Sequence, residues 1–595
     1  MRPDSAALSS RALGLVLVLA IVAAYSNSFS GEFLYDDRVA VVENRSIQRL
    51  WPLSTVLFPP ASEGVGGRPI ANLSFALNHA IGGTSVRGYH VVNLVIHAGA
   101  ALALFGLLRR TLRTRPLVAR FGEPADLLAG ASALWWGLHP VQSEVVSYVS
   151  QRTESLMALF FLLTLYGLVR GAQENRRAWH VFGAGMCVLG MAAKEVMVSA
   201  PLVALLYDRI FLAKNFRVVW RERGFVHLAF AASWLVLIAL MGALHARGVD
   251  YGLGIGWLDS LLTQSRALAT YAGLTAWPHP LIFDHGMVWL QRFGQAAPYL
   301  ILVGAAFVGV ILAFRRWPVA GFVGAWFFLI LAPTSSFVPI VPQPIAENRM
   351  YLPLAALVAA GVLALHGMIG RRALWIFSAV AVAGAIQTWQ RNLVYRSEIS
   401  IWTDTIAKRP DNARAQYNLA VALDRSGRVP EAAVHYEAAI HHRAGYAEAY
   451  NNLGAALLKL GRLDDAITRL RTAVQLAPTT ADLRYNLGYA LQQKNQPAEA
   501  IPHYREALRL DPRHLHARLN LAQALLQTGA IAAAIPELES ALRLDSRSFA
   551  AHHNLAVALA ASGRIAESRT HYEAALRIDP RAEQTRRNLE ALPAR

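Results

Sequence analysis

At 595 residues, with 54% hydrophobic content and a mean hydropathy of +0.32, the chain is too long for one ordinary domain and too apolar to be wholly soluble. Its formal net charge of +18 would suit nucleic acid, but the arginines stand in short tracts beside apolar runs, among them Arg109-Arg110, Arg176-Arg177, Arg315-Arg316 and Arg371-Arg372. That is the positive-inside pattern of a membrane protein, so no nucleic-acid partner is expected. The single cysteine, Cys187, excludes an internal disulfide and a Cys-type zinc site.

The apolar runs lie before about residue 395, and the remainder is charged, Ala-rich and helical in period. The expected organisation is therefore a polytopic helical membrane domain over 1–395 and a soluble helical domain over 396–595, an all-α protein throughout. The run 12–24 follows Arg2 and Arg11 and reads as a retained first helix, although Val22-Ala23-Ala24 would also suit a signal peptidase. Further spans are expected near 89–108, 127–138, 155–169, 178–193, 196–211, 225–244, 297–314, 318–337, 351–369 and 373–389, about eleven crossings in all. The run 258–277 is read as interfacial or re-entrant, because a twelfth span would carry Arg315-Arg316 to the outer side.

With the N-terminus in the cytoplasm, this topology gathers one set of polar residues outside: Asp36-Asp37, the turn His139 to Glu144, Arg152 and Glu154, Asp284-His285, Glu347 to Arg349, and the C-terminal region. Ionisable groups at membrane depth cost a few kcal/mol and are by default paired or functional. His90, Asn93 and His97, at i, i+3 and i+7, share one helix face. They could serve a site or bond neighbouring helices. Lys194-Glu195 stands between two apolar runs, where Lys194 could either bind a ligand or snorkel.

After about residue 398 the pair Asn-Leu recurs with a step of 34 at Asn418, Asn452, Asn486, Asn520, Asn554 and Asn588. The same step relates Gly427, Gly461, Asn495, Gly529 and Gly563, and Ala439, Ala473, Ala507, Ala541 and Ala575. This is the period of the tetratricopeptide repeat (TPR), an α-solenoid of paired helices. About five repeats are expected, with a leading half-repeat that holds Trp402 and a partial helix at the end. The asparagine column could hold an extended polypeptide by its backbone, or could only pack the helices.

Tyr35-Asp36-Asp37, Gly67-Arg68-Pro69, the stretch Gly88 to His97, His139-Pro140-Val141 with Glu144, Arg152, Lys194-Glu195 and Glu347-Asn348-Arg349-Met350-Tyr351 occur in that order before the repeats. Together they resemble the transmembrane and TPR-repeat O-mannosyltransferases, membrane enzymes of the GT-C glycosyltransferase superfamily. One departure is Asn348, which separates an acid and a base expected to be adjacent. The resemblance implies a bacterial cytoplasmic-membrane enzyme with extracytoplasmic repeats. It would move a sugar, mannose foremost, from a polyprenyl-phosphate donor to Ser/Thr hydroxyls of polypeptides held by the asparagine column. A cell-envelope glycan or lipid as acceptor, a transporter of lipid-linked sugar, and a non-catalytic scaffold are the alternatives.

The resemblance further implies Asp36 or Asp37 as general base, and donor-binding roles for His90, Asn93, His97, His139, Glu144, Arg152, Lys194, Glu195, Glu347, Arg349 and Tyr351. A carboxylate can take the acceptor proton, and cationic Arg152, Lys194 or Arg349 can meet the departing phosphate. A divalent ion, Mg or Mn, bridging Asp36 and Asp37 to the phosphate is the other use of the acid pair. Single displacement would invert the anomeric centre, and a retaining route would need Glu144 as nucleophile.

Overall fold

The computed structural model describes residues 9–60, 65–245, 256–335 and 343–593. Arg2 and the last two residues of the span expected over 318–337 lie outside them. The described residues contain helices and no strand, and the chain divides into two compact units, Met1–Arg409 and Pro410–Arg595.

In the first unit, six stretches are long and apolar enough to cross a membrane: Ser10–Ser30, Val86–Thr111, Val149–Glu174, Phe216–Leu240, Phe293–Arg316 and Pro353–Val394. The last contains two helices, Pro353–Ile369 and Ala373–Val394, separated by a turn that carries Arg371 and Arg372. The other expected spans fall on shorter helices, such as Ala125–Leu138, Arg177–Met191 and Pro318–Leu331. Helices of 14 or 15 residues rise only roughly 21–23 Å, short of the roughly 30 Å of a hydrocarbon core. Helix Ala125–Leu138 has a packing reason to be short. It lies against the helices Ser10–Tyr25, Val86–Thr111, Pro353–Ile369 and Ala373–Val394, and its Trp136 is fully buried. At Gly137 an added Cβ would meet Ile21 at 2.8 Å, so only glycine permits that approach.

The run expected to be interfacial or re-entrant forms one helix, Trp257–Ala276, which braces a loop and is not among the six stretches long and apolar enough to cross a membrane. Its Gln264 Nε2 donates to the Pro344 carbonyl at 3.0 Å, and its Tyr271 hydroxyl accepts from the Ala346 N–H at 2.9 Å. Those bonds fix the approach to Glu347–Met350.

Helix Glu398–Lys408, expected to open the repeats, packs within the first unit. Trp402 is 1% exposed, edge-on to Tyr35 and Phe283 at 5.5 and 5.3 Å. Asp404 bonds Arg391 at 2.6 Å, and Lys408 donates to the Leu281 carbonyl at 2.8 Å. These contacts join helix Glu398–Lys408 to the first unit, which ends at Arg409.

The second unit repeats one local solution. Gly427, Gly461, Asn495, Gly529 and Gly563 all have φ between 60° and 81°. This left-handed residue ends the first helix of each pair and lets the next N–H return, as Arg428 does to the Leu423 carbonyl and Gln496 to that of Leu491. Ala439, Ala473, Ala507, Ala541 and Ala575 are all fully buried. Any larger side chain there would push neighbouring helices apart. Leu453, Leu487 and Leu521, at 0–1% exposure, each contribute about 2–3 kcal/mol of apolar burial.

Candidate active site

The turn that carries the acid pair sends its two carboxylates to different environments. Tyr35 sits at φ 36°, a left-handed conformation that costs a bulky residue roughly 1–3 kcal/mol. It is held there by its N–H on Glu398 Oε1 (3.2 Å) and by its ring against Trp402. After this bend Asp37 is fully buried, whereas Asp36 is exposed and lines a cleft. Asp37 Oδ2 accepts from the Leu34 N–H at 3.0 Å and Oδ1 from the Ser150 N–H at 2.6 Å. The Tyr148 hydroxyl accepts from the Asp36 N–H at 3.0 Å. Burial pushes the Asp37 carboxyl up to about 7, against the pull of those two N–H groups. Asp37 thus pins the loop to the start of helix Arg152–Glu174 and leaves Asp36 facing outward.

The cleft has a volume of about 510 Å³. Beside Asp36 its walls carry Arg68, Ser150, Gln151, Thr153, Lys194, Glu195, Asn348 and Arg349. Arg68 directs one guanidinium nitrogen at both oxygens of Glu195, each at 3.2 Å. Burial works to raise the Glu195 carboxyl, but the charges of Arg68 and Lys194 outweigh it and bring it to about 2. Lys194 forms a buried ion pair with Glu154, and Arg349 is aimed by the carbonyls of Pro344 (3.1 Å) and Gln343 (2.6 Å). Neutral carbonyls leave the Arg349 charge available to an anion. Of the residues expected from sequence, the cleft therefore unites Asp36, Lys194, Glu195 and Arg349.

The others stand elsewhere, because a shared helix face turns toward neighbouring helices as readily as toward a site. Arg152 is fully buried and donates to Asn93 Oδ1 (2.7 Å), Asn78 Oδ1 (2.9 Å) and the carbonyls of Ser74 (3.2 Å) and Tyr89 (3.0 Å). Four of its five N–H groups are consumed, so Arg152 and Asn93 tie helices together rather than reaching a phosphate. His97 bonds the Tyr351 hydroxyl (2.7 Å) and the Gly137 carbonyl (2.9 Å), and His139 contacts the Thr275 carbonyl (3.3 Å). His90 is buried with neither ring nitrogen bonded. Glu144 and Glu347 face a separate buried cluster. Glu347 accepts from the Ile282 N–H at 2.7 Å, and burial, with the nearby Glu347 charge, pushes Glu144 up to about 8. Glu144 is absent from the cleft walls, which leaves a retaining route without its nucleophile there.

The acid pair does not face the cleft together: Asp37 is fully buried and is not among the cleft walls, so a joint clamp on a divalent ion in the cleft lacks its second carboxylate. Arg68, Ser150, Gln151, Thr153 and Asn348 were not singled out from sequence as site residues. Arg68 had a signal in Gly67-Arg68-Pro69, where Gly66 and Gly67 both adopt positive φ (50° and 66°) just before helix Pro69–Gly82. Asn348, the departure from the family pattern, bonds Gln151 at 2.7 Å and so joins the two walls.

In the second unit the six asparagines are all half-buried. Asn452 Nδ2 donates to the Tyr417 hydroxyl (3.0 Å) and Asn486 Nδ2 to Asn451 Oδ1 (2.8 Å). Asn418 Nδ2 is buried without a partner. Part of the column is thus spent inside the stack.

The chain matches the tetratricopeptide repeat over residues 399–444, 445–513, 485–546 and 549–582. It is 24% identical over 489 residues to "Protein O-mannosyl-transferase TMTC4" of Homo sapiens, a match that covers 71% of this chain and 65% of that one. "Protein O-mannosyl-transferase F38B6.6" of Caenorhabditis elegans is 25% identical over 459 residues, covering 72% and 62%. The chain is a relative of the TMTC protein O-mannosyl-transferases. "Protein O-mannosyl-transferase TMTC2" of Mus musculus is 32% identical over a shorter stretch of 217 residues, covering 34% and 24%. The chain spans just under two thirds of the length of the human TMTC4 and nematode relatives. Among solved structures, a TPR protein titled "Crystal structure of YrrB: a TPR protein with an unusual peptide-binding site" is 21% identical, with a TM-score of 0.30, covering 32% of this chain and 97% of that one.

Proposed function

We propose that the chain is a GT-C-type membrane glycosyltransferase that moves a sugar, mannose foremost, from a polyprenyl-phosphate donor to Ser/Thr hydroxyls of polypeptides. The observation that carries this reading is the cleft itself, in which the exposed Asp36 shares walls with Arg68, Lys194 and Arg349. The names of the relatives support the reaction class. In the reaction, Asp36 takes the proton from the acceptor hydroxyl as its oxygen bonds the anomeric carbon. The bond from that carbon to the phosphate oxygen breaks on the opposite face, the configuration inverts, and the phosphate leaves with the electron pair. Arg349, held by neutral carbonyls, meets the charge that grows on the leaving phosphate, and Lys194, paired with Glu154, stands in the same wall. Asp37 acts through the backbone, holding the Asp36 turn, and Arg152 holds the helices behind it.

The bilayer is the cytoplasmic membrane, with the N-terminus inside and the repeats outside, where they bind the acceptor. Purified full-length protein, supplied with labelled polyprenyl-phosphate mannose and a Ser/Thr-rich polypeptide, should yield a product heavier by one hexose. Consumption of the donor with the sugar appearing only on glycan or lipid would overturn the assignment of acceptor. No turnover of any polyprenyl-phosphate sugar would overturn the enzyme reading.

A further inference from the structure

The far end of helix Val86–Thr111, from Leu104 to Thr111, borders a second cavity that shares no wall residue with the cleft around Asp36. This one has a volume of about 660 Å³ and almost wholly apolar walls. Leu104 and Leu108 form one side, and Phe322 and Trp326 another. Along a third side, helix Pro353–Ile369 contributes Ala355, Ala356, Ala359, Ala360 and Ala364. These alanines share one helical face, so their short side chains leave a trough roughly 14 Å long. The polar wall groups Thr111 Oγ1 and Tyr207 Oη bond each other at 2.5 Å, so neither asks for a polar ligand. The interior suits an alkyl chain.

The mouth is charged. Arg120 and Arg316 line it beside Trp317, which is 68% exposed and suited to a membrane interface. The arginines nearby are neutralised: Arg109 and Arg113 pair with Asp126 at 3.3 and 2.7 Å, and Arg110 with Glu174 at 2.7 Å. Arg120 has no acidic partner among the described residues. Its one hydrogen bond runs to the Gly367 carbonyl at 3.1 Å, where a larger side chain in place of the glycine would collide with it. Arg316 has neither a hydrogen bond nor an ion pair among the described residues. Two uncompensated cations at the entrance of an apolar trough match a lipid whose phosphate carries a net negative charge.

We propose that this cavity binds one anionic glycerophospholipid, with an acyl chain along the alanine trough and the headgroup phosphate between Arg120 and Arg316. The site is separate from the cleft around Asp36 and does not depend on the proposed reaction.

Native mass spectrometry of delipidated full-length protein, titrated with phosphatidylglycerol or phosphatidylcholine, tests it. Phosphatidylglycerol should bind more tightly and as a single copy. Arg120→Gln with Arg316→Gln should weaken it by roughly twenty-five-fold, at roughly fivefold per charge, while the double Arg→Lys variant should retain most of the affinity. Ala356→Phe with Ala360→Phe should exclude both lipids by filling the trough. Arg316→Gln alone removes no internal bond and so gives the single-charge loss in a folded protein. Equal retention of the two lipids, or unchanged phosphatidylglycerol binding by Arg316→Gln and the double variant, overturns the proposal. Tighter binding of a polyprenyl phosphate than of phosphatidylglycerol also overturns it, in favour of a second site for donor-type lipid.

Discussion

The two units treat buried charge in opposite ways. In Pro410–Arg595 the buried polar side chains are Asn412, Gln416, Ser568 and Thr585, with no charged group among the described residues. The first unit buries Asp37, Glu144, Arg152, Glu154, Lys194, Asp208, Arg223, Asp284, Glu347, Arg349 and Arg391. Buried charge is costly unless paired, so its use separates a unit built for packing from one that also holds a site. Burial alone does not identify that site. Arg223 grips Asp208 with two bonds of 2.8 Å while His227 adds a third at 2.9 Å. That cluster is closed on itself by ion pairs, and none of its three residues lines the cleft around Asp36. What distinguishes Asp36, Arg68, Lys194 and Arg349 is that they share cleft walls.

The largest effect should come from Asp36→Asn. It removes the base and leaves the backbone bonds around Asp37 in place, so transfer should fall by at least about a hundredfold with little change in thermal stability. Near-native turnover would dissolve the distinction between cleft and scaffold. Next in size is removal of the second unit. A chain ending at Arg409, which keeps Trp402, Asp404 and Lys408 in their contacts, should lose most transfer to whole proteins. Donor hydrolysis, or transfer to a short peptide at high concentration, should survive. Undiminished glycosylation of whole proteins by this shortened chain would assign the repeats to another partner.

Asp37→Asn should cost less turnover than Asp36→Asn but more stability. It leaves one of two buried N–H groups without an acceptor, at about 1–3 kcal/mol. It should also change the pH dependence. Below an ordinary carboxyl value near 4, Asp37 is protonated in both folded and unfolded chains. Between there and about 7 only the unfolded chain ionises, so stability falls as pH rises through that window and levels off above it. Glu144, raised to about 8, adds a slope of the same sign. Melting temperatures in detergent from pH 5 to 8 should decline in the wild type and decline less in Asp37→Asn or Glu144→Gln. Identical slopes in all three would mean that neither carboxyl is held protonated.

The repeat unit was legible in the sequence because period alone sets which residues are buried. The alanine column is fully buried, and the turn column is left-handed even at Asn495. The first unit was legible in its apolar stretches and less so in its site. His90, Asn93 and His97 share a face, yet that face looks into the bundle, and spacing along one helix does not reveal what the neighbouring helices present. Asp36 and Asp37 are adjacent in sequence yet differ in burial, and the left-handed Tyr35 just before them is a bend stabilised by Glu398 and Trp402 from more than 360 residues away. Arg68 reaches the cleft only because its loop turns at two glycines, so its neighbours carried the signal rather than the arginine itself.

The smallest effect should come from the asparagine column. Asn452 and Asn486 each spend an amide N–H, on Tyr417 and Asn451 respectively. What remains for a bound polypeptide is chiefly the amide carbonyl, an acceptor for backbone N–H groups. Replacing Asn452, Asn486 and Asn520 with alanine should therefore raise KM for a protein acceptor by only about three- to tenfold, one modest hydrogen bond's worth, with kcat nearly unchanged. That split is the signature of binding lost equally from ground and transition states. The same substitutions also release the Tyr417 hydroxyl and the Asn451 amide oxygen inside the stack, so the melting temperature of the repeat unit should be measured alongside. A lowered melting temperature with an unchanged KM would assign the column to packing. A raised KM at constant melting temperature would assign it to the acceptor, and would make the repeats, like the cleft, a place where polar groups are kept for a ligand.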